Sequence, residues 1–182
     1  MLPTLHVGDF ILVNKYEYGI RLPVTNWKII PLGSPQRGDV VVFKDPNNWL
    51  NEEQSSAPGG GYLIKRLIGL PGDVVECKGA GQPVTINGVA INETSYIRPG
   101  VDPSAFPFSV TVTEGRVFVM GDNRANSADS RYHQDDGDRG LVPISDVVGV
   151  GIAKYWPLDR LGAIDDHHEV FKDVPDASGS NS

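Results

Sequence analysis

Short β-branched runs, each bounded by turn-forming residues, recur along this chain and leave little room for a long helix. Phe10-Ile11-Leu12-Val13 follows Gly8-Asp9, and Val40-Val41-Val42-Phe43 follows Gly38-Asp39. Glycine tolerates positive φ and aspartate bonds its own backbone, so each pair marks the start of a strand. Tyr62 to Leu70 alternates apolar and polar residues, Pro71-Gly72-Asp73 turns the chain, and Val74-Val75-Glu76 resumes it. The pattern predicts two strands and a tight turn in a hairpin-like unit. Val84-Thr85-Ile86 and Val89-Ala90-Ile91 flank Asn87-Gly88, the pair a two-residue hairpin turn needs because both central positions take positive φ. Residues 110–112, 116–120 and 147–155 supply further strands. With 21 Gly and 14 Pro in 182 residues, the expectation is a mostly β protein. It should hold an antiparallel sheet from residues 1–75 and 108–164, a smaller inserted β-hairpin region over 76–107, and long loops.

The segments between these runs read as loops. Residues 16–37 mix Tyr, Pro, Gly and Trp without helical spacing and predict a long excursion with an extra hairpin. Asp45 to Gly61, with Gly59-Gly60-Gly61, reads as an exposed, disordered loop. Trp27 and Trp49 fall in such segments, where an aromatic ring anchors to a lipid interface or joins a satellite core. The acidic run His133 to Gly140 lacks calcium-loop spacing and reads as a solvated loop, not a metal site. From 165 to 182 the composition turns to Asp, His, Ser and Gly, which predicts a disordered tail.

Charge and cysteine content narrow the function. Sixteen Lys and Arg against 23 Asp and Glu give a net charge of -7, which repels a phosphate backbone and argues against nucleic acid as a partner. One cysteine, Cys77, forms no intramolecular disulfide and no cysteine-based metal cluster. No metal and no cofactor is expected. The most apolar stretch, Val147 to Ala153, is seven residues long, where a membrane span needs about 20.

Chemistry concentrates in two blocks. If Tyr62 to Ile68 is a strand, Leu63, Lys65 and Leu67 share one face while Ile64, Arg66 and Ile68 share the other. A buried Lys65 would lose proton affinity and offer a neutral amine as a base; an edge-strand charge is the plainer reading of the same residue. The second block, Gly121-Asp122-Asn123-Arg124-Ala125-Asn126-Ser127-Ala128-Asp129-Ser130-Arg131, packs small hydrogen-bonding residues among alternating charges.

These blocks occur in order with Pro3-Thr4-Leu5, Gly8-Asp9 and Gly69-Leu70-Pro71-Gly72-Asp73. Together they resemble the bacterial type I signal peptidases over nearly all of residues 1–162. The resemblance implies a membrane-associated serine endopeptidase that removes signal peptides from exported pre-proteins at the extracytoplasmic face of the cell membrane. It implies Lys65 as general base, Ser127 as the hydroxyl that orients it, and the pairs Asp122 with Arg66 and Asp129 with Arg131 as bracing. It implies Met1, Leu5, Ile11, Leu63 and Ile64 as the lining of shallow pockets for small substrate residues, although Ile11 and Leu63 serve equally as core. The family's nucleophilic serine would directly precede Met1, so this chain alone is expected not to turn over substrate. A non-catalytic relative that only binds signal peptides is the competing expectation.

Overall fold

A computed structural model describes residues 1–15, 34–50 and 61–177. The expected hairpin within 16–37, Trp27, most of the glycine-rich loop and the last five residues fall outside the described residues. Among those described, eleven strands form two antiparallel sheets and the only helical elements are short 3-10 turns. The first sheet is built from β1 (Phe10–Lys15), β2 (Val40–Lys44), β3 (Tyr62–Gly69), β8 (Arg116–Met120), β9 (Val142–Pro143), β10 (Val147–Trp156) and β11 (Gly162–Ala163). Its order is β1-β10-β2-β3-β8-β9, with β11 on β10. The second holds β4 (Val74–Cys77), β5 (Val84–Ile86), β6 (Val89–Ala90) and β7 (Phe108–Thr111), in the order β6-β5-β4-β7.

Period-two alternation divides the core. Val117 and Val119 of β8 pack with Val41, Phe43, Leu63 and Leu67. Phe118 and Met120, one residue out of step, pack with Val75, Ile86 and Val110 of the second sheet. One strand thus seals two cores. The Asn87-Gly88 turn has φ of 52° and 81°, the positive values a type I′ hairpin demands, and Ile86 pairs with Val89 across it.

Three expectations fail. Tyr62–Gly69 and Val74–Cys77 do not form a hairpin, because they belong to different sheets. Asp73 is the cause: its carboxylate accepts from Leu70 N at 2.8 Å, from Arg37 at 2.8 and 2.7 Å, and from Asn87 Nδ2 at 2.9 Å. This buried hub turns the chain out of the first sheet and starts the second. The expected disorder from 165 onward does not hold through Ala177. Phe171 and Val174 are buried in the core between the sheets, and Arg37 and Asn87 donate to Pro175 O at 3.3 and 3.0 Å. The 133–140 run is not a free solvated loop either. His133 stacks on Trp49 with ring centroids 4.4 Å apart, Trp49 Nε1 donates to Asp136, and Arg116 pairs with Asp138 at 2.6 Å. Trp49 is therefore core, not a lipid anchor.

Candidate active site

The site forms where β3 runs between β2 and β8. Lys65 lies opposite Val41, and Arg66 lies opposite both Val40 and Met120. Strand alternation sends the two cations to opposite faces. Lys65 is partly buried, and burial lowers its amine below the ordinary lysine value of 10.5, while the Asp129 and Asp122 carboxylates offset part of that effect. The Met1 backbone nitrogen lies within electrostatic reach of the Lys65 amine, so residue 1 borders the lysine.

Gly121 follows β8 directly and shapes the floor. A Cβ there would overlap Ser127 Oγ and come 3.6 Å from Lys65 Cδ, so only glycine lets the serine and the lysine stem converge. Ser127 Oγ is buried without a hydrogen-bond partner among the described residues. The hydrogen bond expected between Ser127 and the lysine amine is not formed; the two side chains meet only around Gly121.

Two carboxylates brace this floor. Asp129 binds Arg131 through Nε and a terminal nitrogen, both at 2.9 Å, and its Oδ2 also accepts Gly121 N at 3.0 Å. Asp122 takes Arg66 Nε and a terminal nitrogen, both at 3.0 Å, with neither side chain exposed. Thr4 Oγ1 donates to Asp122 Oδ2, and Lys154 Nζ donates to Thr4 O at 3.3 Å, which ties the chain start to the site. Fork-shaped guanidinium groups suit this bidentate, fully buried pairing.

Of the residues expected to line substrate pockets, Leu5 and the partly buried Met1, Ile11 and Ile64 form one small cluster with Val40 and Ile164. Leu63 belongs to the main core instead, because it shares the face of Leu67. Sequence reasoning assigned no role to Arg124, Glu93 and Tyr96. Arg124 Nε donates to Gly121 O at 3.0 Å and NH1 to Glu93 Oε2 at 3.0 Å, while Tyr96 OH donates to Glu93 Oε1 at 2.6 Å. Tyr96 also presents its ring to Arg66, 4.4 Å from the guanidinium carbon. Burial, and then the charge of Glu93, hold the Tyr96 phenol well above its ordinary value of 10, so it stays a donor. Glu93 sits in Asn92-Glu93-Thr94, which formally matches only a glycosylation acceptor; no local pattern announces its partner 31 residues away.

A family model described as signal peptidase, peptidase S26 matches residues 1–156. The chain belongs to that family. A signal peptidase I of Pseudomonas aeruginosa is 37% identical over 203 residues, covering 93% of this chain and 67% of the relative. A signal peptidase I of Mycobacterium tuberculosis is 35% identical, covering 90% of this chain and 64% of its own length. The crystal structure of a signal peptidase I from Enterococcus faecalis aligns at 32% identity and a TM-score of 0.45, over 65% of this chain and 97% of that one. The chain thus spans about two thirds of the peptidases it resembles by sequence. Among its described residues, no helix is long and apolar enough to cross a membrane.

Proposed function

We propose that this chain carries the base of a Ser/Lys dyad in an endopeptidase that removes signal peptides from exported pre-proteins. The family assignment makes the chain a serine endopeptidase acting on signal peptides. Lys65 is the general base, and the nucleophile is a serine directly preceding Met1 in the whole protein. The partly buried, proton-poor amine of Lys65 carries this reading, because a neutral amine can accept the hydroxyl proton that makes serine a nucleophile. The resulting ammonium returns its proton to the leaving amine, and the neutral lysine then activates water against the acyl-enzyme. Ser127 holds the lysine stem in place across Gly121.

The pH profile tests the base. A lysine with a lowered pKa is protonated and idle at low pH, and its neutral fraction grows as pH rises through that pKa. In the whole protein, kcat/KM should therefore rise along an acid limb centred below 10.5, the ordinary lysine value. A limb centred at 10.5 or above would remove Lys65 from the base role.

A membrane surface is the second partner we propose. Phe10 of β1 lies opposite Trp156 of β10 and Leu12 opposite Ala153, and Leu158 and Leu161 follow Trp156; Phe10, Leu12, Trp156, Leu158 and Leu161 are all at least half exposed, Leu158 at 70%. Adjacent bare apolar side chains mark an interaction surface, and these extend from the strand that follows the Thr4 segment. This surface faces lipid at the extracytoplasmic side of the cell membrane. Replacing Leu158 and Leu161 with Glu should weaken cosedimentation with phospholipid vesicles by about tenfold or more, since burying each leucine is worth about 1.5 to 3 kcal/mol. Unchanged partition would assign that surface elsewhere.

A further inference from the structure

We infer that the C-terminal strap, residues 164–174, is a positioning element for the active site, latched in place by His168 against Asp39; the inference rests on the Lys65 base proposed above. The strap runs behind the catalytic sheet, on the face away from Lys65. Ile164 packs with Leu5 and Val40, and Phe171 and Val174 enter the core between the sheets. Between these anchors the strap turns its backbone toward Arg66, whose NH1 donates to Asp165 O at 3.2 Å and to Asp166 O at 3.0 Å.

Arg66 has five N–H groups to satisfy in a fully buried place. Nε and NH2 take Asp122, with NH2 also 3.4 Å from Thr4 Oγ1. NH1 has left to it the Gly38 carbonyl, at 2.8 Å, and the two strap carbonyls. Two of the three acceptors for that nitrogen thus come from a segment remote in sequence, and the guanidinium plane that aims Asp122 at the site is set from behind.

The latch closes at the same turn. His168 Nε2 lies 2.9 Å from Asp39 Oδ1, next to the Gly38 carbonyl that Arg66 holds. Gly38 has φ of 102°, and a Cβ there would overlap Asp166 O and come 3.0 Å from His168 Cδ2. The glycine is thus required twice, for its backbone conformation and for the approach of the strap. Gly38 N further donates to Leu67 O at 2.8 Å, and Leu67 N to Asp39 O at 2.8 Å, which locks this turn to the strand bearing Lys65.

His168 touches no reacting atom, so its effect should reach catalysis only through Arg66 and Asp122. Freeing the strap lets water reach Arg66 and leaves the Asp122 charge less neutralised. Both changes favour the ammonium form of Lys65. The test compares His168→Ala with His168→Gln, whose side-chain amide still donates to Asp39, and with Lys65→Ala as control. In the whole protein, His168→Ala should lower kcat on a signal-peptide substrate by about tenfold, as displaced supporting groups do, with KM within about twofold and near-recovery in His168→Gln. In residues 1–182, which need no nucleophile for this readout, the Lys65 side-chain NMR titration should move up toward 10.5 in His168→Ala and return in His168→Gln. Loss of thermal stability with kcat and the Lys65 midpoint both unchanged would reduce the strap to a structural tether. Persistent cleavage by Lys65→Ala would sink the base assignment instead, while the titration would still decide whether the strap acts on that amine.

Discussion

Replacing Arg66 with Met should destabilise the protein by about 3 to 5 kcal/mol, the range found when one partner of a buried ion pair is removed. Neither Arg66 nor Asp122 has exposed side-chain surface. Without the guanidinium, the Asp122 carboxylate keeps only the Thr4 hydroxyl from this constellation, and the carbonyls of Gly38, Asp165 and Asp166 lose a shared donor. Methionine fills the volume of the stem but answers none of these acceptors. The decisive comparison is the double variant Arg66→Met with Asp122→Leu. Apolar replacement of both partners removes the stranded charge, so most of the lost stability should return in a urea titration. Activity should not return, because the ion pair that braces β3 from the face opposite Lys65 is gone. A single variant within about 1 kcal/mol of the parent would mean that the pair is not desolvated as the structure places it.

What could be read from the sequence is what depends on neighbours in the chain. The alternation of Tyr62 to Ile68 separates Lys65 from Arg66, and Asn87-Gly88 dictates its own hairpin, because both are consequences of local backbone geometry. Membership of a sheet is different. Pro71-Gly72-Asp73 looks like a hairpin turn until Arg37 and Asn87 arrive at the Asp73 carboxylate from other parts of the chain. The polar composition after residue 165 looks like disorder because side-chain hydropathy ignores backbone carbonyls. Two of those carbonyls satisfy Arg66, and two apolar residues, Phe171 and Val174, suffice to anchor the segment. Trp49 was ambiguous for the same reason, since the ring it stacks on, His133, lies in a run whose acidic residues suggested solvent. The roles of Asp122, Asp129 and Ser127 came from family resemblance and not from spacing. The Glu93–Arg124–Tyr96 network behind Gly121 had no such guide.

Lys65→Met should separate function from stability in opposite directions. A positioned general base contributes about 10²- to 10⁴-fold, so the whole protein should lose cleavage by at least that factor while retaining affinity for signal peptide. The same change should stabilise the fold, because burial disfavours the ammonium that the parent must accommodate whenever it is protonated. The sign follows from linkage: the folded-state pKa lies below the unfolded value, so between the two the unfolded chain binds more protons and the parent gains stability as pH rises. The advantage of Lys65→Met is therefore largest below the folded-state pKa, on the order of 1 kcal/mol per pK unit of lowering, and shrinks as pH climbs through the window that ends at 10.5. Methionine suits the test, since its unbranched stem follows the lysine path against Gly121 without a charge. Urea titrations of parent and variant across that window should converge toward its upper end. Parallel stability curves, with a constant gap at every pH, would show that the amine carries no burial cost in the parent, and the neutral base on which the peptidase chemistry depends would have no physical origin.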